Sequence, residues 1–154
     1  MLQIEIIDNN KGGREDLIFS VDGLFDSLTP GTYYFMIQIE PYEDIQDIRN
    51  ALATLLNYWL TEIQDAKQEL KIFLPIDFSD QYTGCLEVIK TDQNLKLRYA
   101  FSERGGYTIN PTKPGDFSKP VTDFEDTANK TLEVYKAEFL TSIKNQIEKL
   151  TNVS

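Results

Sequence analysis

The stretch IQDIRNALATLLNYWLTEI, at residues 45–63, is the segment that decides the fold. Its apolar residues recur every three or four positions, which places them on one face of a helix. Pro41 marks the start of that helix, because its fixed φ and missing N–H suit a first turn. The pattern predicts an amphipathic helix over about 42–68, with one face on a core. The apolar stripe consists of Ile45, Ile48, Leu52, Leu55, Leu56, Trp59, Leu60 and Ile63.

Segments typical of strands lie on both sides of this helix. Most of them alternate apolar with polar residues, which is the period of a half-buried strand. The run TYYFMIQIE is instead rich in β-branched and aromatic residues. Pro75 predicts an edge strand or a strand that bends there. The last two segments flank Asp92-Gln93-Asn94 and predict a hairpin. The predicted strands are residues 2–6, 16–21, 32–40 (TYYFMIQIE), 70–77, 85–91 and 95–102, with a short strand possible at 107–110.

A second helical pattern lies near the C-terminus and predicts an amphipathic helix over about 124–150. Strands therefore come in consecutive runs and do not alternate with helices. This order favours an α+β fold, in which a mainly antiparallel sheet of five to seven strands is packed by two helices. We expect one domain over residues 1–154. The apolar positions of the second helix are Phe124, Ala128, Leu132, Tyr135, Phe139, Ile143, Ile147 and Leu150.

Composition excludes several classes of function. The 154 residues carry a formal charge of −10, with no His and a single Cys, Cys85. A Ser-His-Asp or Cys-His catalytic system cannot be built without imidazole, and neither can a Cys/His zinc site. The acidic balance disfavours nucleic acid and anionic membranes as partners. No glycine-rich phosphate loop occurs, so no cofactor is expected.

The net charge belongs entirely to the first 80 residues, which hold 15 acidic and 5 basic side chains. The densest acidic cluster is Glu40, Glu43, Asp44 and Asp47, at the start of the first helix. Such a cluster can capture a basic protein partner by electrostatic steering. Two other interpretations are a solvated, solubilising surface and, with less support, a site for a hard cation such as Mg²⁺ or Ca²⁺.

An irregular segment at about 110–121 contains Pro111, Pro114 and Pro120. Phe117 lies in this segment and Tyr107 lies just before it. Aromatic side chains on restrained loops are typical anchors of protein interfaces. We therefore predict both residues as partner-binding, together with the acidic cluster. The alternative is a loop whose aromatic side chains fold back onto the sheet.

The leading hypothesis is a small acidic binding protein that neutralises or escorts a protein partner, such as a basic, toxin-like protein. Immunity proteins, antitoxins and inhibitors share this general profile. One alternative is a carboxylate-based enzyme or small-ligand sensor, with or without a divalent metal. Another is a self-associating structural or adaptor subunit, acting through an exposed helix stripe or the edge near Pro75. The chain is expected in the cytoplasm, because no signal-peptide pattern opens it. It is expected to be a monomer or a homodimer.

Overall fold

A computed structural model of the chain describes residues 1–39, 41–114, 117, 123 and 125–152. The predicted α+β class is confirmed, but the strands form two antiparallel sheets, of three and four strands. The elements of the described part are β1 (Leu2–Ile6), β2 (Leu17–Val21), β3 (Phe25–Leu28), α1 (Tyr33–Gln38), α2 (Ile45–Asp65), β4 (Lys71–Phe78), β5 (Thr83–Thr91), β6 (Asn94–Ser102), β7 (Glu125–Tyr135) and α3 (Lys136–Thr151). The sheet orders are β1-β2-β3 and β4-β5-β6-β7. A 3-10 helix at Gly106–Thr108 lies between β6 and β7, where the sequence allows a short strand.

Helix α2 lies in the core, as its apolar pattern predicts, and is three residues shorter at each end than the predicted helix. The predicted stripe is buried from Ile48 to Ile63, whereas Ile45 is 50% exposed. Trp59 is completely buried, and its indole N–H donates to the carbonyl of Pro75 at 3.2 Å. On its other side the Trp59 ring lies 6.4 Å from that of Phe19 on β2. One side chain thus joins the helix to both sheets.

Helix α3 covers the free edge of β1. The backbone N–H of Leu2 donates to the hydroxyl of Ser142 at 3.2 Å, and that of Ile4 donates to the side-chain oxygen of Gln146 at 3.1 Å. An unpaired strand edge is a template for association with another chain. These side chains satisfy the exposed donors of β1, so this edge is closed within the molecule.

The hairpin predicted around residues 92–94 is confirmed. Strands β5 and β6 are paired along their whole length, which leaves Asp92 and Gln93 as a two-residue turn. Asp92 has a φ of 45°, as the first position of such tight hairpin turns requires. Strand β4 lies at the sheet edge, and its pairing register shifts between Pro75 and Asp77. Both effects predicted from Pro75, an edge position and a bend, are present.

The strand predicted at residues 32–40 is wrong, because Tyr33–Gln38 forms a short helix, α1. Contacts of the preceding residues explain the difference. Thr32 donates its N–H and its hydroxyl to the carboxylate of Asp16, at 2.7 and 2.6 Å. Tyr33 donates its N–H to the carbonyl of Gly13 at 2.9 Å. These bonds tie the chain to the β1–β2 loop, where no strand edge is offered, and this context overrides β-propensity.

The second predicted helix is wrong in its first half. Residues 125–135 form strand β7, and helix α3 begins at Lys136. In the register with β6, Leu132 pairs with Leu97 and Val134 with Leu95. Tyr135, which the helical stripe would bury, is 61% exposed. Strand β6 would otherwise be an unpaired apolar edge, so pairing with β7 outweighs the coincidental helical spacing.

Gly84 on β5 permits a close approach of neighbouring side chains. A Cβ at this position would lie 3.0 Å from Cβ of Asp77 and would overlap the hydroxyl of Tyr99. We expect Gly84→Ala to lower the free energy of unfolding by about 1–3 kcal/mol, because the overlapping groups must move. Chemical denaturation of the variant checks this.

The matched test is the double variant Gly84→Ala/Tyr99→Phe, which removes the overlapping hydroxyl. It should recover part of the loss, whereas Tyr99→Phe alone should have a small effect. A double variant no more stable than Gly84→Ala would contradict this account of the contact.

Candidate functional site

A groove of about 650 Å³ lies where the β1–β2 loop faces the starts of α1 and α2. We call it the α2-start groove; it is lined by residues 6–13, Asp16, Thr32, Tyr33, Tyr42, Ile45, Ile48 and Arg49. Tyr33, Tyr42 and Ile45 are 47%, 42% and 50% exposed. Among the described residues, they are half of the six exposed large apolar side chains. Aromatic and apolar surface that a partner can bury is therefore concentrated here.

Local hydrogen bonds hold the walls of the groove in place. The Asp16 carboxylate binds Thr32 as described above, so its charge also anchors the start of α1. The side-chain amide of Asn9 donates to the carbonyls of Arg14 and Glu15, at 2.9 and 3.0 Å. Gly31 lets the backbone of Gly13 approach, since a Cβ on Gly31 would overlap the Gly13 carbonyl. The β1–β2 loop is thus held by hydrogen bonds to the segment that carries Tyr33.

Two of the predicted partner-binding acids cap α2. Asp44 is the N-cap residue, and its carboxylate accepts the N–H of Gln46 at 2.8 Å. Asp47 accepts the N–H groups of Glu43 and Asp44, at 2.7 and 3.0 Å. These backbone bonds, first that from Glu43, lower the pKa of Asp47 from its ordinary value. This reciprocal arrangement is a capping box, so both acids have a structural role.

Negative charge nevertheless exceeds positive charge around the groove. Glu43 and Asp44 are exposed beside Tyr42 and Ile45. Lys11, which is paired with Glu15 at 2.8 Å, and Arg49 are the cationic side chains among the lining residues, and Arg14 is exposed on the rim beside Glu15. Glu40, the fourth member of the predicted cluster, lies outside the described residues. The carboxylates of the groove and its rim are Asp8, Glu15, Asp16, Glu43, Asp44 and Asp47.

A metal site at this cluster gains no support from the geometry. Within the part of the chain that the structure describes, no group of three or more Asp, Glu, Cys or His side chains could hold an ion. The Asp44 and Asp47 carboxylates accept backbone N–H groups, which are donors that a cation would have to replace. The arrangement is built for capping and for surface charge.

Of the two aromatic residues predicted as partner-binding, Phe117 does not join this groove. Phe117 is completely buried and belongs to the core, so its ring is unavailable to a partner. This corrects its prediction as an exposed anchor and agrees with the alternative in which the loop folds back. For Tyr107 the structure describes the backbone, within the 3-10 helix. The Thr83 hydroxyl donates to the Arg104 carbonyl at 2.7 Å, and the Ser102 hydroxyl donates to Asp123 at 3.0 Å. These bonds attach a residue on each side of the irregular segment to the sheet.

The sequence missed Tyr33, Tyr42, Ile45 and Arg49. Tyr33 was assigned to a strand, and Ile45 was counted in the buried stripe of α2. Tyr42 and Ile45 do bracket the Glu43-Asp44 pair in the sequence. An apolar residue on each side of two acids at a helix start is a signal that could have marked this surface.

The fold and the groove define an acidic α+β protein with an exposed aromatic surface at one helix start. No family model matches the chain, and its sequence matches no curated protein. In fold it is similar to a chain of the CdiA-CT/CdiI toxin and immunity complex from Enterobacter cloacae. The TM-score is 0.52 at 13% identity, over 99% of this chain and 100% of that chain. Within the described residues, no helix is both long and apolar enough to cross a membrane.

The capping role of Asp44 can be tested separately from its negative charge. Asp44→Ala removes the acceptor for the Gln46 N–H and should cost about 1 kcal/mol of unfolding free energy. Asp44→Asn keeps an acceptor without the charge and should stay close to the wild-type value. Urea unfolding of both variants checks this, and equal losses for Ala and Asn would contradict a capping role.

The lowered pKa of Asp47 makes a prediction about acid. Its folded pKa lies below the unfolded one, so its carboxylate stabilises the fold above the unfolded pKa and that contribution is lost as pH falls through the folded pKa. Asp47→Asn should therefore lose less stability than the wild type on acidification through this range. Thermal unfolding at stepped pH measures the difference, with Asp65→Asn, near the other end of α2, as the control.

Proposed function

We propose that this chain is an immunity-type protein that binds and neutralises a basic, toxin-like protein through the α2-start groove. The observation that carries the proposal is the concentration of exposed Tyr33, Tyr42 and Ile45 beside the carboxylates of the α2 cap. The fold likeness to a chain of a toxin and immunity complex is consistent with such a role. A cytoplasmic location follows from the same proposal.

The groove supplies both stages of binding. Carboxylates around it attract a cationic surface at long range and raise the association rate. Tyr42 and Ile45 then lose exposed surface to the partner, and buried aromatic residues account for much of the binding energy in interfaces. Glu43 is well placed for the first stage, since it is exposed and its backbone N–H is already bound by Asp47.

The charge of the chain favours the inhibitory member of such a pair over a toxin acting on nucleic acid. A formal charge of −10 repels a phosphate backbone, whereas it complements a protein that binds one. Sequence composition points away from imidazole-based catalysis for the same chain. The apolar stripe of α2 is in the core and is therefore not an exposed helix stripe for self-association, whereas β4, the strand that contains Pro75, lies at a sheet edge.

The proposal predicts protection that depends on the groove. The products of the reading frames beside its gene are expressed singly in bacteria, with and without this chain. One of them should stop growth when it is expressed alone and should be tolerated when this chain is expressed with it.

Tyr42→Ala should weaken the purified complex by about 2 kcal/mol, roughly thirtyfold in Kd. Calorimetric titration at several NaCl concentrations should also show steep weakening with salt.

Tyr135→Ala is the matched control, because Tyr135 is 61% exposed and lies outside the groove. It should leave protection and Kd unchanged. If no neighbouring product is toxic, or if the chain fails to protect against a toxic one, the proposed function is overturned. If protection survives Tyr42→Ala and Ile45→Ala combined, the groove is the wrong surface.

A further inference from the structure

A second surface feature lies at one end of the β4-β5-β6 sheet and shares no lining residue with the α2-start groove. In the register of the three strands, Asp77 pairs with Gly84 and Gly84 pairs with Phe101. A carboxylate and an aromatic ring therefore flank a residue without a side chain. Tyr99 lies on the same face as Phe101, two residues earlier on β6. We call Asp77, Tyr82, Gly84, Tyr99 and Phe101 the Gly84 socket.

Aromatic side chains form the walls of this socket. The Tyr82 and Phe101 rings lie 5.9 Å apart, edge to face. On the other side, the Tyr99 ring meets that of Phe25 at 5.7 Å, and its hydroxyl lies over Gly84. Tyr82 is 37% exposed and Phe101 is partly exposed, so solvent reaches the socket. Partly exposed aromatic rings beside an anion are surroundings that favour an organic cation.

Asp77 has a hydrogen bond but no counter-ion. Its Oδ2 accepts the Tyr82 hydroxyl at 3.1 Å, and within the described part of the chain no donor is bound to Oδ1 and no cationic side chain lies within ion-pair distance. Burial raises the pKa of this carboxyl, as expected where no positive charge offsets desolvation. Burial, followed by the charge and hydrogen bond of Asp77 and last by the charge of Asp80, raises the pKa of Tyr82 to about 12.

Glu87 on the same sheet shows how the fold treats a carboxylate that it neutralises itself. Glu87 is buried and is paired with both Arg98 and Lys71. Asp77 lies at the open end of the sheet without such a pair. Asp77 is a partly exposed carboxylate beside aromatic rings and has no cation among the described residues, so it can form an ion pair with a cation of a binding partner.

We infer that the Gly84 socket binds an arginine side chain of a protein partner. A planar guanidinium fits better than an ammonium, because its fork can donate to Oδ1, which binds no donor among the described residues, while its face stacks on the partly exposed Tyr82 ring. The socket and the groove have no residue in common, so this inference does not depend on which surface captures a toxin.

The inference is tested on the whole chain with N-acetyl-arginine amide as the probe. Amide signals of Asp77, Gly84 and Phe101 in two-dimensional NMR should shift saturably. N-acetyl-citrulline amide, which has the same shape without the charge, should produce no such shift. Asp77→Asn, which keeps a hydrogen-bond acceptor for Tyr82, should weaken binding on the order of tenfold. Tyr82→Phe keeps the ring, frees Oδ2, and should bind at least as well as the wild type.

Asp92→Asn is the control for overall charge, because Asp92 lies in the exposed turn at the other end of the β5–β6 hairpin. It should leave probe binding unchanged. The inference is overturned if the arginine probe gives no saturable shift, if citrulline binds equally well, or if Asp92→Asn weakens binding as much as Asp77→Asn. None of these results bears on protection through the groove, so the two proposals fail separately.

Discussion

Burial of the apolar face of α2 is the interaction on which the rest of the structure depends. Each large side chain on this face contributes roughly 1.5–3 kcal/mol by leaving water. Trp59 contacts both sheets, through Phe19 on one side and through the Pro75 carbonyl on the other. Two short antiparallel sheets would each expose an apolar face if they were alone. The helix supplies the surface on which both faces close, and α3 completes the cover by packing against α2 and β1.

The position of α2 also determines the surface at its start. The stripe is buried from Ile48 onward, while Ile45, one turn earlier, projects beyond the core. The capping box fixes the backbone at this point, and the Asp16–Thr32 bonds fix the opposite wall. A residue that continues the apolar pattern past the edge of the core thus becomes contact surface. The acids that cap the start of α2 also give this surface its charge, so the same side chains serve stability and the proposed recognition.

Local pattern was enough for the elements whose periodicity agrees with their environment. Helix α2, the β5–β6 hairpin and the effects of Pro75 all follow from neighbouring residues. Residues 32–40 and 124–135 could not be predicted in this way, because partners distant in the sequence decide their structure. Asp16 and Gly13 turn the first segment into a helix, and the open edge of β6 turns the second into a strand. The acidic part of the candidate site was visible in sequence, but its aromatic part depended on exposure, which periodicity alone does not give.

The contrast between Glu87 and Asp77 bears on how an acidic protein can be selective. Net charge alone attracts any basic surface and discriminates poorly, since its effect is long-range and screened by salt. Glu87 is neutralised within the sheet and therefore adds nothing to recognition. Asp77 has no cation of its own among the described residues, and Tyr82 and Tyr99 restrict what can approach it. At 13% identity a shared fold need not preserve such side chains. If the chain binds the proposed partner, we expect selectivity to come from carboxylates such as Asp77, which has no cation among the described residues and is surrounded by defined neighbours.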